Sequence, residues 1–244
     1  MHEWSSRQGS SEPLQRPILE QRVVSAASPV PPGEVPIIFA SDRYVVVNKP
    51  AWMLSVPGKG SDKADCVASR IAGMFPKARG PLVVHRLDME TSGLIVLALD
   101  EEAQRELSRQ FEDRVVEKSY TALLCAGSSE EELGSRSGVI DLPLRADIQN
   151  RPVQIVDFEH GRPSRTQWQV LAHEIDRWRV RFDPVTGRTH QIRVHAAAGL
   201  KRPIIGDALY GGDPAERLML HAAELSFLEP GTRRRVKYES RVPF

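Results

Sequence analysis

Cysteines, long apolar runs and net charge are all scarce in this sequence of 244 residues. The only two cysteines, Cys66 and Cys125, lie far apart in apolar surroundings and outside any metal-ligand spacing, so we expect buried free thiols. No apolar stretch approaches the roughly 18 residues that a membrane-spanning helix needs. The first residues also lack the charged and then apolar layout of a secretory signal. These absences predict a cytoplasmic protein without a membrane partner.

The net charge is only +1, so the composition does not single out a nucleic-acid-binding protein. The charges are unevenly distributed, however, because arginines gather at Arg233–Arg235 and around Arg188, Arg193 and Arg202. A neutral total with a basic face is compatible with RNA binding. The charged run Arg233–Lys237 itself fits either a solvated surface or an RNA contact.

Composition and periodicity divide the chain into two parts. Residues 1–34 are rich in Ser, Gln, Pro and Glu and show no sustained apolar period, which predicts a flexible N-terminal extension. Residues 35–244 are long enough for a proper core, and strand-like runs such as Tyr44–Asn48 alternate there with helix-like stripes. Helices interspersed among strands with short links predict one α/β domain built on a mixed sheet.

A short run, His85–Gly93, contains one aspartate, Asp88, two residues after Arg86 and just before the apolar segment Leu94–Leu99. A loop carried by a rigid strand is a common place for a catalytic group. An arginine partner would lower the pKa of the Asp88 carboxyl and keep it charged, as a nucleophile or a base requires. On pattern alone, a turn aspartate that bonds to its own backbone is the simpler interpretation.

A second run, Thr186–Arg193, places Arg188 directly after Gly187, which permits a tight turn. A planar guanidinium can hold a carboxylate with two parallel hydrogen bonds, whereas lysine cannot. Arg188 is therefore a candidate partner for Asp88. Taken by itself, a Gly-Arg-Thr sequence is more typical of a surface arginine after a β-turn.

One aromatic residue and several histidines complete the set of candidate side chains. Tyr120 lies near the start of a predicted strand, where its ring could stack on a base or pack in the core. His190 and His195 are five residues apart, which does not place them on one helix face, and no carboxylate follows at a metal-binding spacing. We expect no metal site and interpret these histidines, with His85, as hydrogen-bonded structural residues, of which His190 is also a candidate for a position near an RNA phosphate.

Taken together, the two runs resemble the signatures of the RluA family of pseudouridine synthases. Further matching segments are Val46–Pro50, Pro203–Gly211 and Leu220–Ala222. The resemblance implies one pseudouridine-synthase catalytic domain, over residues 35–244, with a central, largely antiparallel mixed sheet flanked by helices and loops. We expect no S4 RNA-binding module of the kind that several members carry ahead of this domain.

The resemblance also implies an activity and its residues. Uridine in RNA is isomerised without a cofactor or metal, and a stacked target base must first be flipped out. Asp88 stands at the position of the catalytic aspartate, Arg188 at that of the arginine that pairs with it, and Tyr120 at that of an active-site tyrosine. Arg86 matches an arginine that supports the flipped-out loop. With Arg86, we assign His190 and Arg193 to RNA binding.

Several alternatives stay open from the sequence. The pattern is most similar to family members that act on both a transfer RNA anticodon stem-loop and a hairpin of 23S ribosomal RNA. A restriction to one of these RNAs, or a non-catalytic RNA-binding or folding module, is also conceivable. Asp88 could add to ribose C1′ or remove the C2′ proton. Two departures from the family pattern, Trp52 and Glu229, bear on substrate detail. We expect a monomer.

Overall fold

The computed structural model describes residues 34–60, 63–80, 82–126 and 135–244. The predicted N-terminal extension therefore lies, apart from Glu34, outside the described residues. Within the described ranges, no helix is long and apolar enough to cross a membrane.

The described chain forms eleven strands. In chain order they are β1 (Ile37–Ala40), β2 (Tyr44–Lys49), β3 (Ser92–Ala98), β4 (Glu117–Cys125), β5 (Ser137–Asp141), β6 (Leu144–Ala146), β7 (Gln154–Val156), β8 (Arg165–Glu174), β9 (Arg177–Pro184), β10 (Leu220–Leu228) and β11 (Arg235–Glu239). Helical segments are α1 (Val67–Met74), α2 (Glu101–Glu112) and α3 (Gln191–Val194), which runs directly into a π-helical turn, His195–Gly199.

Nine of these strands make one sheet in the order β1-β2-β3-β10-β4-β9-β8-β5, and β11 pairs with the second half of β10. Only the β3–β10 pair is parallel, so the predicted mixed and largely antiparallel sheet is confirmed. Strands β6 and β7 form a separate two-stranded sheet. Insertion of β10 between β3 and β4 brings the loop before β3 next to the start of β4.

The helices cover different parts of the sheet because their apolar residues face it. Helix α1 buries Val67 and Ile71 against one face of β2 and β3, and α2 buries Ala103 and Leu107 against the other face. Asp100 caps α2, since its side chain accepts a hydrogen bond from Ala103 N at 2.8 Å. The spacing of four and then three residues predicts an apolar stripe of Val67, Ile71 and Met74 on α1, and this prediction is only partly correct.

Met74, the last member of that predicted stripe, is 51% exposed. It is the final residue of α1, beyond the part of the helix that contacts the sheet. Segment α3 and its π-helical turn bury Ile192 and Ala196 against β4, β8 and β9. This packing fixes the chain directly after Arg188 on β4, β8 and β9, whereas the first motif leads into β3.

Candidate active site

A cleft of about 580 Å³ lies over the central strands β4, β9 and β10. It is bounded by the loop before β3, the end of α2, the start of β4 and the turn after β9. All six site residues expected from the sequence line it, although they come from distant parts of the chain: Arg86, Asp88, Tyr120, Arg188, His190 and Arg193.

Asp88 is partly buried in this cleft. Its backbone carbonyl accepts a hydrogen bond from Thr91 N at 3.2 Å, so the residue does open a local turn. Across the described ranges, however, its carboxylate has no hydrogen-bond or ion-pair partner. The charge of the carboxylate affects two neighbouring groups. It raises the pKa of Tyr120 and opposes the effect of burial on the pKa of Lys49. A carboxylate of this kind is available to a ligand.

The residues on either side of Asp88 are fixed by distant side chains. The Ser55 hydroxyl accepts from Leu87 N at 3.0 Å and donates to Leu87 O at 2.7 Å. Lys49 Nζ donates to Met89 O at 3.0 Å, and also to Pro50 O and Met53 O at 2.9 and 2.8 Å. Burial lowers the pKa of Lys49 to about 7, while three carbonyls match the three donors of its ammonium form. The loop is thereby held rigidly before the chemistry begins.

Two further contacts hold the end of the loop. Arg193 makes a bidentate ion pair with Asp207 at 2.7 and 2.8 Å, and its third nitrogen bonds to Glu90 at 2.6 Å. Ser92 Oγ is hydrogen-bonded to His221 Nδ1 at 2.7 Å. Because the neighbour Gly93 pairs with Ala222 of β10, the loop joins the sheet at a fixed point.

These contacts correct the assignment of Arg193 to RNA binding. Its side chain is only 1% exposed, and its donors are directed at Asp207 and Glu90. A guanidinium engaged in this way cannot reach a phosphate without leaving two carboxylates unpaired. Arg193 is a structural residue beneath the loop that carries Asp88.

Tyr120 projects from β4 into the same cleft. Its partly buried ring packs against apolar side chains on both sides of the sheet centre, which fixes its plane. In the described part of the chain its hydroxyl has no protein partner. Burial first and the Asp88 charge second raise the pKa of Tyr120, so the hydroxyl stays protonated at neutral pH. The ring can therefore present a face, and the hydroxyl a donor, to a flat base.

Arg188 lines the cleft on a turn that Gln191 organises. Gln191 Oε1 accepts from Arg188 N at 2.9 Å and from Thr186 Oγ1 at 2.7 Å, while its Nε2 donates to Arg165 O at 3.0 Å. The expected ion pair with Asp88 does not form among the residues that the structure describes. Instead, Arg188 Nε donates to Pro163 O at 3.2 Å. The pairing role of Arg188 stays a prediction.

Arg86 and His190 occupy different depths of the cleft. Arg86 is exposed, with one long hydrogen bond to Thr189 Oγ1 at 3.5 Å, so its guanidinium is available to a ligand. His190 is 8% exposed, and its Nδ1 is hydrogen-bonded to Tyr210 Oη at 2.7 Å. Burial lowers the pKa of His190 and the nearby Asp88 charge opposes that shift. A largely buried imidazole fits the expected structural role better than a phosphate contact.

The other two histidines also have internal partners, as expected from the sequence. His195 donates from Nε2 to Leu142 O at 3.2 Å and accepts from Thr166 Oγ1 at 2.8 Å. His85 Nε2 accepts from Val96 N at 3.1 Å. In the described ranges, no group of three or more His, Cys, Asp or Glu side chains is arranged to hold a metal ion.

Sequence reasoning missed the supporting residues: Lys49 and Ser55 hold the loop before β3, and Gln191 holds the turn that carries Arg188. All three lie inside segments that matched the family, so a signal was present, but it did not reveal their contacts. Ser55 lies 32 residues before its partner, and nothing in its local sequence indicates the pairing.

Comparisons with known proteins identify the family of this chain. A model of the RNA pseudouridylate synthase family matches residues 43–198, well over half of the chain. The dual-specificity RNA pseudouridine synthase RluA of Escherichia coli (strain K12) is 44% identical over 207 residues, covering 82% of this chain and 90% of that protein. RluA of Vibrio vulnificus (strain CMCP6) is 46% identical over 203 residues, covering 80% and 78%.

Solved structures show the same fold. Human RNA Pseudouridylate Synthase Domain Containing 1 matches with a TM-score of 0.69 at 30% identity, over 86% of this chain and 84% of that one. Human RNA Pseudouridylate Synthase Domain Containing 4 matches with a TM-score of 0.66 at 25% identity, over 85% and 88%. The fold, a large mixed sheet with few helices, is thus shared with these two human proteins.

Proposed function

The chain belongs to the RNA pseudouridylate synthase family and is an isomerase of uridine in RNA; from that premise we propose that Asp88 is its reacting carboxylate. One observation carries the proposal. Asp88 is a carboxylate without a protein partner, on a loop fixed by Ser55 and Lys49, in a cleft that it shares with Tyr120. A reactive group held in place by its neighbours, yet free to meet a ligand, is suited to catalysis.

The reaction determines what each group must do. The bond between ribose C1′ and uracil N1 breaks, the base turns, and C1′ joins C5 of the same base. Asp88 either adds to C1′ or removes the C2′ proton. Both routes need the carboxylate in its ionised form. The isomerisation involves no net oxidation or reduction and no group from a second substrate, so the proposal includes no cofactor.

Tyr120 is proposed to hold the uracil while it is detached from the ribose. Base–aromatic stacking contributes about 1–3 kcal/mol, and the protonated hydroxyl offers a donor to the displaced base. The target nucleotide must leave its stack to reach this ring. Arg86, which is exposed at the edge of the cleft, is proposed to support the flipped-out RNA loop.

Arg188 is proposed to orient Asp88 once RNA fills the cleft. Its side chain makes one hydrogen bond, from Nε to Pro163 O. The guanidinium can exchange this bond for two stronger hydrogen bonds to the Asp88 carboxylate. Its backbone needs no movement, because Gln191 already fixes the turn.

For substrates, we propose a transfer RNA anticodon stem-loop and a hairpin of 23S ribosomal RNA, bound by a monomer in the cytoplasm. The relatives named dual-specificity synthases support two classes of RNA. Tritium release should be measured from each stem-loop separately, with uridine labelled at C5, since forming the new bond displaces that hydrogen. Release from both is expected. Release from only one would contradict dual specificity and leave the isomerase activity intact.

Affinity for these RNAs should fall as salt is added, because phosphate contacts release counterions. Dissociation constants measured between low and moderate salt would test this. A constant affinity over that range would contradict RNA binding led by charge.

A further inference from the structure

Several basic side chains in the cleft lack carboxylate partners. Elsewhere, many arginines and lysines are paired with Asp or Glu, among them Arg43, Arg70, Arg145, Arg179, Arg181 and Lys237. In the described ranges Arg86, Arg114 and Lys118 have no ion pair, and the same holds for exposed cations such as Arg105 and Arg151, but these three line one cleft. Unpaired cations grouped in one concave surface favour an anionic ligand.

Lys118 is the most unusual of these cations because it is partly buried as well as unpaired. Its Nζ lies 6.0 Å from the centre of the Phe111 ring, at the outer limit of a cation–π contact. It also lies 3.8 Å from the point where a side-chain carbon on Gly187 would start. The ammonium group therefore faces the turn that carries Arg188, between the end of α2 and the start of β4. Burial lowers the pKa of Lys118 because it disfavours the charged form, and a bound anion would stabilise that form.

The position of Lys118 relative to Tyr120 indicates which anion fits. The two residues are separated by one position on β4 and therefore lie on the same face, roughly 6–7 Å apart along the strand. A base stacked on Tyr120 keeps its own ribose and phosphate close to the ring. The lysine side chain then reaches the backbone of that nucleotide. Arg114, exposed where the chain leaves α2, borders the same space.

We propose that Lys118, with Arg114 at the rim, binds a backbone phosphate next to the flipped-out uridine. This inference rests on the proposed function, because it requires the target base to lie on Tyr120. Lys118 acts as a positioning residue: its ammonium holds the nucleotide so that the ribose meets Asp88. Gly187 presents no side chain to Nζ, which would lie 3.8 Å from an added side-chain carbon.

A paired chemical change in protein and RNA tests this contact. The Asp88→Asn background keeps the RNA unreacted, and dissociation constants are measured for anticodon stem-loops with one methylphosphonate, either 5′ or 3′ of the target uridine. This neutral group removes the charge of a single phosphate. Each RNA is measured with two proteins in this background, one that retains Lys118 and one that carries Lys118→Gln. Lys118→Arg retains the charge, and Lys77→Gln alters an exposed lysine that does not line the cleft.

With Lys118 present, one of the two methylphosphonates should weaken binding roughly tenfold, the loss expected for a hydrogen bond to a charged group. Lys118→Gln should weaken binding of the unmodified RNA by a similar factor and should be insensitive to the same methylphosphonate. For this variant, the negative slope of log affinity against log salt concentration should be less steep by about 0.7–0.9. Lys118→Arg should retain most of the affinity, and Lys77→Gln should bind with the parent affinity.

Equal losses from the methylphosphonate with and without Lys118 would overturn the proposal, and so would an unchanged affinity of Lys118→Gln. If that variant fails to fold, the parent protein still decides, because insensitivity to both methylphosphonates excludes the contact. Failure of the proposed function has a different signature. In that case the protein with Asp88 intact would release no tritium from the unmodified stem-loops, whatever the state of Lys118.

Discussion

At the residue scale, the catalytic loop is an example of a local motif that depends on distant contacts. The carboxylate of Asp88 is free, while its neighbours are held by Ser55, Lys49 and Arg193. Loss of these contacts would let the loop relax, and a displacement of about 1 Å at the reacting atom can reduce a rate about a hundredfold. We therefore expect the supporting residues to affect activity without touching the substrate.

Replacing Arg193 by Met should destabilise the fold strongly. The variant leaves Asp207, which is fully buried, and Glu90 without their cation. Breaking a buried pair from one side typically costs about 3–5 kcal/mol. Urea denaturation followed by circular dichroism would measure the loss.

The matched control is Arg177→Met, which breaks an ion pair with Asp176 at the surface. Surface pairs contribute little to stability, so its urea midpoint should stay close to that of the parent protein. Similar midpoints for the two variants would contradict the structural role given to Arg193.

Sequence reasoning at this scale found side chains that share the cleft and missed those that hold their backbone in place. Asp88, Tyr120 and Arg188 stand out because their types and motifs match a known family. The roles of Lys49 and Ser55 depend on partners 40 and 32 residues away, so no local pattern reveals them. Arg193 was misassigned because an arginine beside a motif looks the same whether it faces solvent or a buried Asp207.

At the scale of elements, the junction of β3 and β10 sets the position of the loop. Gly93 has φ of +117°, in the region that favours glycine, and pairs with Ala222. A side-chain carbon there would lie 2.3 Å from the carbonyl oxygen of Ala222. Only glycine therefore allows the two strands to approach where the catalytic loop ends.

Gly93→Ala should lower the free energy of unfolding by at least about 2 kcal/mol, through backbone strain and overpacking. Gly73→Ala is the matched control, because Gly73 lies in α1 with nothing within 4 Å of the added carbon. That variant should gain about 0.5–1 kcal/mol, since glycine disfavours a helix. Denaturant titrations of both variants give the comparison. A stable Gly93→Ala protein would show that the strand junction is less tight than described.

Periodicity predicted the elements whose faces differ in burial and was weaker elsewhere. The alternation in β8, exposed and buried in turn, follows from one solvated face. Strand β10 is buried on both faces over Leu220–Ala222, so its sequence alternates poorly and did not predict a strand. The sequence of Ile192–Ala198 is helical in character and predicts a helix there. The structure has a π-helical turn from His195 onward, where tertiary hydrogen bonds to Thr166 and Leu142 override local preference.

At the scale of the whole molecule, buried histidines couple the fold to pH. Burial lowers the pKa of His221 to about 4 and that of His85 to about 3, from an ordinary value of 6.5. Between pH 6.5 and these values the unfolded chain binds more protons than the folded one. The contribution of these neutral histidines to the free energy of unfolding is therefore fully present above about pH 6.5. It decreases as the pH falls from 6.5 towards their lowered pKa values.

The free energy of unfolding should consequently decrease between pH 7 and pH 5, with each such histidine contributing up to about 1.4 kcal/mol per pH unit. Denaturant titrations at several pH values would measure the slope. His221→Gln should reduce it, because one of the protons taken up on unfolding is removed. A free energy that is constant over this range would contradict the neutral, buried state of these side chains.

Sheet order is the feature that the sequence could least reveal. Composition and strand patterns indicated a mixed sheet, and family motifs indicated which side chains meet. The placement of β10 between β3 and β4 joins segments more than a hundred residues apart, and local patterns carry no information about such a pairing. The shared cleft of Asp88, Tyr120 and Arg188 is a consequence of that placement.

The most direct test of the central claim is tritium release from RNA labelled at uridine C5, measured for the wild-type protein and for Asp88→Asn. The wild type should release tritium. The variant should be slower by at least about a thousandfold, within the range for loss of a group that acts on the reacting atoms, while it retains affinity for the same RNA. Release by Asp88→Asn at the wild-type rate would contradict the assignment of Asp88 as the reacting carboxylate.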